Sequence, residues 1–413
     1  MRHPARDGLA EAAFDWVRDR AGHDRRYTKG AQLIIEELTN AVGDDLCLRI
    51  VLEEGLFAKR LLYHRERYPK SSPQLTLIAT PFLALIAHSM PSFLQHAFHW
   101  KVKESPAAVK EIRHRMKSLD LEHITFEEYS RDVHEVFDNA HRGFAGHGGL
   151  LGLLLDRLVP DAGVTYYART PIYSTTGTAY NLYGSAPIPR TPELSTEIGF
   201  CIGQTLAPAV AMADSCFSPE SAFVPEFVTS SNDLRLASLV GRFSDYGYDG
   251  VTAFFLLSER MTTLSSVKAL RQGGFLEDVV WMKFETVALY HTYKALSNLV
   301  GSWHRPGASS GLPEGLISEI QGLTTHAEKQ TLKKMRRLRN AFVHYDFGPG
   351  IVPVSRQPRS PSETLQAAIV NTVGMSYKEY EQFLLRTHEE LILRLQRLLN
   401  FPEYSVWREP GDD

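Results

Sequence analysis

The clearest pattern of apolar and polar positions lies in the C-terminal third of the chain. Three stretches carry apolar side chains at steps of three and four residues, the spacing of one buried helical face. They are residues 275–302, 316–345 and 376–399. The second stretch predicts one continuous helix that ends at the GPG sequence at 348–350, because glycine and proline disfavour helix. Amphipathic helices of this kind predict a helical bundle over about residues 251–402.

Two regions with different patterns precede the bundle. Residues 1–158 are typical of a helical N-terminal region. The helices predicted within it include 44–68, 106–119 and 125–141. Residues 159–235 predict a small β-containing segment and linker, with one or two hairpins from 164 to 192 and a long loop at 218–233. The fold class predicted is therefore mainly α, with a small β segment ahead of the bundle.

Composition narrows the function classes. The net charge is −3 at pH 7, so the chain does not resemble a polycationic protein that wraps nucleic acid, although a local basic patch remains open. Its 3 cysteines form no CxxC pair, which argues against a disulfide framework or a thiolate zinc site. The apolar window at 75–94 contains Pro81, His88 and Pro91, and it predicts a buried helix pair rather than a membrane span. We therefore expect a cytoplasmic protein with no membrane partner.

Candidate chemistry lies in the sequence KKMRRLRNAFVHYDF at 333–347. On a helical wheel centred on Leu338, Asn340 and His344 lie opposite the apolar face and Arg339 lies on its flank. A guanidinium fits phosphate oxygens, and an imidazole exchanges protons near neutral pH. The helix end would raise the pKa of His344 and the neighbouring arginines would lower it. Arginine and histidine together suffice for RNA cleavage without metal.

The RNAFVH sequence at 339–344 resembles the R-[polar]-x3-H signature of the HEPN superfamily. These are helical-bundle proteins, many of them ribonucleases of toxin–antitoxin, CRISPR-associated and anti-phage systems. The resemblance covers about residues 251–402. It implies that Arg339 and His344 are catalytic and that Asn340 supports them. It also implies a cofactor-free and metal-free site where two bundles meet, usually in a homodimer, and a cyclic phosphate product.

A run of cations precedes the histidine. It comprises Lys333, Lys334, Arg336 and Arg337. These residues either bind the RNA backbone ahead of the site or form a solvated face that complements the helix dipole. The expected partners are an RNA substrate, a second copy of the chain, and a regulatory protein or trigger acting on residues 1–250. The leading hypothesis is a metal-independent endoribonuclease used in defence or as a toxin.

Three alternatives stay open. Arg339 and His344 would also suit a structural role at a helix C-terminus, in a catalytically inactive dimerisation or interaction module. The same spacing recurs at Arg142 and His147 around two glycines, so the bare pattern also arises by chance. Finally, His134, Asp138 and His141 share one helical face and could hold the metal of a hydrolase. His96 and His99 are the candidates for its remaining ligands.

Overall fold

The computed structural model describes residues 46–98, 106–117, 125–144, 161–184, 193–235, 240–303, 312–352 and 360–401. The helices are α1 Leu46–Arg67, α2 Ser72–Phe98, α3 Ala107–Arg115, α4 Phe126–Phe144, α5 Thr175–Tyr183, α6 Glu193–Cys216, α7 Gly247–Gln272, α8 Asp278–Trp303, α9 Glu314–Gly322, α10 His326–His344, α11 Pro361–Thr372 and α12 Tyr377–Leu399. The strands are β1 Asp161–Tyr167, β2 Thr170–Ser174 and β3 Ser230–Arg235. The mainly α fold with a small β segment is confirmed.

The N-terminal helices pack around α2. Helix α1 lies along α6, and Gly55 permits this approach because a Cβ there would stand 2.1 Å from the carbonyl oxygen of Ala209. Helix α2 contacts α1, α3, α6 and α10. The predicted helix pair was wrong, since α2 runs unbroken through Pro81 and Pro91. Residues Ser72–Gln95 are long and apolar enough to cross a membrane, but 67% of that window is buried inside the protein, as in a core helix.

The small sheet is antiparallel with strand order β2-β1-β3. Strand β2 packs on α7, where Ser266 Oγ donates to the carbonyl oxygen of Ile172 (2.9 Å). One hairpin was predicted correctly, but the sequence after it forms α5 because Ser174 caps the helix by accepting from the Gly177 amide. The predicted loop at 218–233 was also partly wrong. It contains the start of β3 and the buried Phe227 ring.

The C-terminal helices surround α7 and α8. Helix α8 contacts α7, α9, α10 and α12, and the predictions for α8 and α12 are confirmed. The single helix predicted over 316–345 was wrong, because Thr325 begins a new helix. Its hydroxyl accepts from the Glu328 amide, and the Glu328 carboxylate accepts from the Thr325 amide. Helix α11, between α10 and α12, was not predicted.

The end of α10 is where the N-terminal and C-terminal helices meet. Helix α10 packs on α8 and α11, and it also packs on α2 of the N-terminal region. One cluster of buried apolar residues runs from α1 to α12 through all of these elements. The predicted motif therefore lies against the N-terminal helices and not only within the C-terminal bundle.

Candidate functional site

The last two turns of α10 separate a packed face from an accessible one. Leu338 and Phe342 are fully buried, whereas Asn340 and His344 are exposed, as the helical wheel predicted. The helix ends because Tyr345 takes the left-handed conformation (φ 51°) and its amide donates to the Ala341 carbonyl. His344 is thus the last helical residue.

Arg339 is held more tightly than the sequence predicted. It was expected on the flank of the apolar face, but only 8% of the residue is exposed. Its Nη1 donates to Asn340 Oδ1 (2.8 Å) and its Nη2 to His291 Nε2 (2.7 Å). The hydrogen bond to Asn340 helps to fix the plane of the Arg339 guanidinium, and a supporting role of Asn340 in catalysis stays a prediction.

His291 on α8 is a site residue that the sequence analysis missed. Burial, followed by the charge of Arg339, holds its pKa well below the ordinary value, so the ring is neutral and can accept from the guanidinium. It lies off the apolar stripe used to predict α8, and only the packing of α8 on α10 places it beside Arg339. No sequence pattern would have identified it.

His344 remains available to a ligand. More than a third of the residue is exposed, and within the described ranges its ring makes no hydrogen bond. Partial desolvation and then the charges of Arg113 and Arg339 lower its pKa, while Asp346 opposes them. The net shift of the His344 pKa is downward, with desolvation as its largest cause, so the imidazole is predominantly neutral at pH 7. A neutral imidazole with a free nitrogen can act as a base.

A buried ionic group fixes the backbone after His344. Lys283 Nζ lies 2.6 Å from Glu54 Oε1, and Tyr345 Oη donates to Glu54 Oε2 (2.6 Å). Cys47 Sγ donates to the Tyr345 carbonyl oxygen (3.1 Å). Lys283 and Glu54 are fully buried. Because Glu54 and Cys47 belong to α1, the N-terminal region anchors the end of α10.

The predicted RNA-binding cations all lie at the surface. Lys333, Lys334, Arg336 and Arg337 are exposed. Lys333 and Arg337 share a stripe with Asn340 and His344, since these residues follow at steps of three and four. Arg337 Nη2 also donates to the carbonyl oxygen of Gly350, which ties the following loop to the helix. Their role toward RNA stays a prediction.

The metal hypothesis gains no support from the described residues. Among them no group of three His, Cys, Asp or Glu side chains could hold a metal ion. His134 Nε2 donates to the Tyr248 carbonyl oxygen (3.3 Å), and its ring meets the Tyr248 ring at 4.3 Å. The remaining members of this hypothesis and of the second Arg–His copy lie outside the described side chains: His96, His99, Asp138, His141, Arg142 and His147.

Comparison with known proteins adds no family. No protein-family model matches the chain. No curated protein and no solved structure is significantly similar to it. The residues at the end of α10 and their surroundings are therefore the basis for a functional proposal.

Proposed function

We propose that this protein is a metal-independent endoribonuclease of HEPN type. The observation that carries the proposal is the contrast between Arg339 and His344 on adjacent turns of one helix. Arg339 is buried and oriented by Asn340 and His291, whereas His344 is exposed and neutral. A fixed cation beside an accessible base is the arrangement that cleavage of RNA at its own 2′-hydroxyl requires.

In the proposed reaction, His344 takes the proton of the 2′-hydroxyl. The 2′-oxygen attacks the adjacent phosphorus, and the bond from phosphorus to the 5′-oxygen breaks. The products are a 2′,3′-cyclic phosphate and a 5′-hydroxyl, whose oxygen receives a proton from solvent. The guanidinium of Arg339 places positive charge beside the phosphorane that forms during the attack. Because Asn340 and His291 already hold the group, little reorganisation is needed in the transition state.

The surroundings suit a regulated cytoplasmic effector used in defence or as a toxin. The exposed stripe of Lys333 and Arg337 would bind the RNA backbone next to His344. Since α1 and α2 contact the end of α10, a trigger or regulatory protein that binds the N-terminal region would act directly on the site. We propose a homodimer as the working unit.

A helical interaction module is the second candidate. Leu385 and Leu393 on α12 are 39% and 49% exposed, and they lie two turns apart on one face of the helix. Exposed leucines at this spacing favour association with another helix. The same face would serve the homodimer of the ribonuclease proposal, so cleavage and not association separates the two candidates.

The deciding experiment incubates purified protein with mixed cellular RNA in EDTA. We expect the wild type to cleave, and we expect His344→Ala to cleave about 10² to 10⁴ times more slowly because the base is lost. Arg339→Lys should also lose most of the activity, since an ammonium cannot keep both hydrogen bonds of the guanidinium. His326→Ala is the matched control, an exposed histidine in the first turn of the same helix.

Cleavage by the wild type and by His326→Ala, with little or none by His344→Ala and Arg339→Lys, would support the proposal. Cleavage that needs added metal, or that survives both site variants, would overturn the assignment of the site. Absence of cleavage together with self-association through α12 would favour the interaction module.

A further inference from the structure

A second arginine approaches the proposed site from the N-terminal region. Helix α2 packs against both α3 and α10. Its Phe93 ring lies 5.2 Å from the ring of Tyr345, so α2 reaches the end of α10. Arg113 on α3 is only 8% exposed. It lies near enough to act electrostatically on His88, His291 and His344. The charge of Arg113 therefore acts on the rings of His291 on α8 and His344 on α10.

Arg113 differs from the other buried arginines among the described residues, Arg260 and Arg339. Arg339 is held by Asn340 and His291. Arg260 is fully buried, but its Nη1 donates to the Met116 carbonyl oxygen (2.8 Å) and its Nη2 pairs with Glu259 (2.7 Å). Across the described ranges, Arg113 has no hydrogen-bond or carboxylate partner, and its Nε atom is buried. A buried cation without a counter-charge destabilises a fold. No acid among the described residues offsets the charge of Arg113, so an anion bound from solution would supply the missing counter-charge.

His88 on α2 adds a second group of this kind. It is half-buried, and its Nδ1 atom is buried with no hydrogen-bond partner in the described structure. Burial and then the nearby charge of Arg113 lower its pKa to about 4, so the ring is neutral at pH 7 and can donate one hydrogen bond. Lys110 and His114 contribute further positive potential around it.

We propose that Arg113 and His88 form a phosphate-binding pocket together with Arg339 and His344. That the ligand is an RNA phosphate rests on the ribonuclease proposal. The anion pocket itself rests on the unpartnered buried atoms of Arg113 and His88. Two guanidinium groups would then contact the oxygens of one phosphate, as phosphoryl-transfer sites require for charge stabilisation. The helices of the N-terminal region would supply half of the site within the same chain.

The test uses the full chain and inorganic phosphate as the probe. Thermal unfolding is followed in increasing phosphate and in chloride of equal ionic strength, because phosphate also stabilises proteins nonspecifically. We expect phosphate to raise the Tm of the wild type above the chloride series, and we expect Arg113→Met to abolish that difference. Without phosphate, Arg113→Met should unfold at the same Tm or a higher one, since it removes an unpaired buried charge. Arg67→Met, at an exposed arginine of α1, is the matched control and should respond like the wild type.

RNA cleavage separates this pocket from the ribonuclease proposal. Arg113→Met should cleave about 10² to 10³ times more slowly than the wild type, and Arg113→Lys should recover part of the loss. A phosphate effect that depends on Arg113, in a protein that cleaves no RNA, would leave the pocket standing and overturn the ribonuclease. An unchanged phosphate effect in Arg113→Met, or a clear fall of its Tm without phosphate, would overturn the pocket and leave the ribonuclease to its own test.

Discussion

Two buried cations lie beside the end of α10, and they differ in one respect. Lys283 has a complete set of partners, with the Glu54 carboxylate at 2.6 Å and the Tyr345 ring centre at 4.0 Å. Arg113 is less completely buried, at 8% exposed against 0% for Lys283, and within the described residues its guanidinium has no acid partner. The group of Lys283, Glu54 and Tyr345 holds the backbone after His344 in place. The charge of Arg113 is not offset by an acid among the described residues and is available to a ligand. Burial alone does not distinguish a structural cation from a ligand-binding cation; the partners do.

Breaking the group of Lys283, Glu54 and Tyr345 should have the largest effect on stability. Lys283→Met removes the only cation paired with Glu54 among the described residues and leaves a carboxylate buried in the core. We expect a loss of about 3 to 5 kcal/mol in the free energy of unfolding, measured in urea. The matched variant Arg113→Met should lose none. Equal losses of unfolding free energy in Lys283→Met and Arg113→Met would refute the distinction between a partnered and an unpartnered buried cation.

A second variant distinguishes the uncompensated charge from lost packing. Lys283→Met combined with Glu54→Gln removes both charges and keeps an oxygen that can accept from Tyr345 Oη. The double variant should regain much of the stability that Lys283→Met loses. If it is as unstable as the single variant, packing around Lys283 and not its charge accounts for the loss.

Properties that depend on spacing within one helix could be predicted from the sequence, whereas contacts between helices could not. The period of apolar residues predicted α8 and α12, and the helical wheel placed Asn340 and His344 on the accessible face. These properties depend on spacing within one helix. The break between α9 and α10 is local too, but its signal is the capping box at Thr325 and not the apolar period, which continues across it.

The groups that complete the site come from helices far away in the chain. His291, Arg113 and Glu54 belong to α8, α3 and α1, and each reaches the end of α10 only through packing between helices. Nothing in their own segments marks them, since an isolated histidine, arginine or glutamate in a helix is typical of a solvated face. Arg339 shows the same limit, because its burial follows from α8 and not from its own helix.

The opposite end of α10 provides a control for the site end. Thr325→Ala removes the hydroxyl that accepts from the Glu328 amide (3.2 Å) and should lower the free energy of unfolding by about 1 kcal/mol. Cleavage measured well below the Tm should not change, because Lys283, Glu54 and Tyr345 hold the far end of the helix independently. A parallel loss of cleavage would mean that the site depends on the stability of the whole helix.

The smallest and most specific effect concerns the pH dependence of cleavage. The charged groups with the largest effect on His344 are Arg113 of α3, Lys283 of α8, and Arg339 and Asp346 at the end of α10, while His88 of α2 is the neighbouring imidazole. Because the pKa of His344 lies below its ordinary value of 6.5, kcat/KM should rise with pH, and the midpoint of the rise should lie below pH 6.5. Cleavage in a pH series at low salt measures this rise.

Two variants should move the midpoint of that rise in opposite directions. Arg113→Met removes a cation that disfavours the protonated ring, so the pKa of His344 should increase and the midpoint should move to higher pH. Asp346→Asn removes an anion that favours it, so the midpoint should move to lower pH, while the amide oxygen can still accept from the Gly348 amide. Added salt should shrink the Asp346 shift more, because Asp346 is exposed and Arg113 is buried. Shifts in the same direction would mean that the rise belongs to a group other than His344, since one imidazole cannot respond alike to the loss of a cation and of an anion.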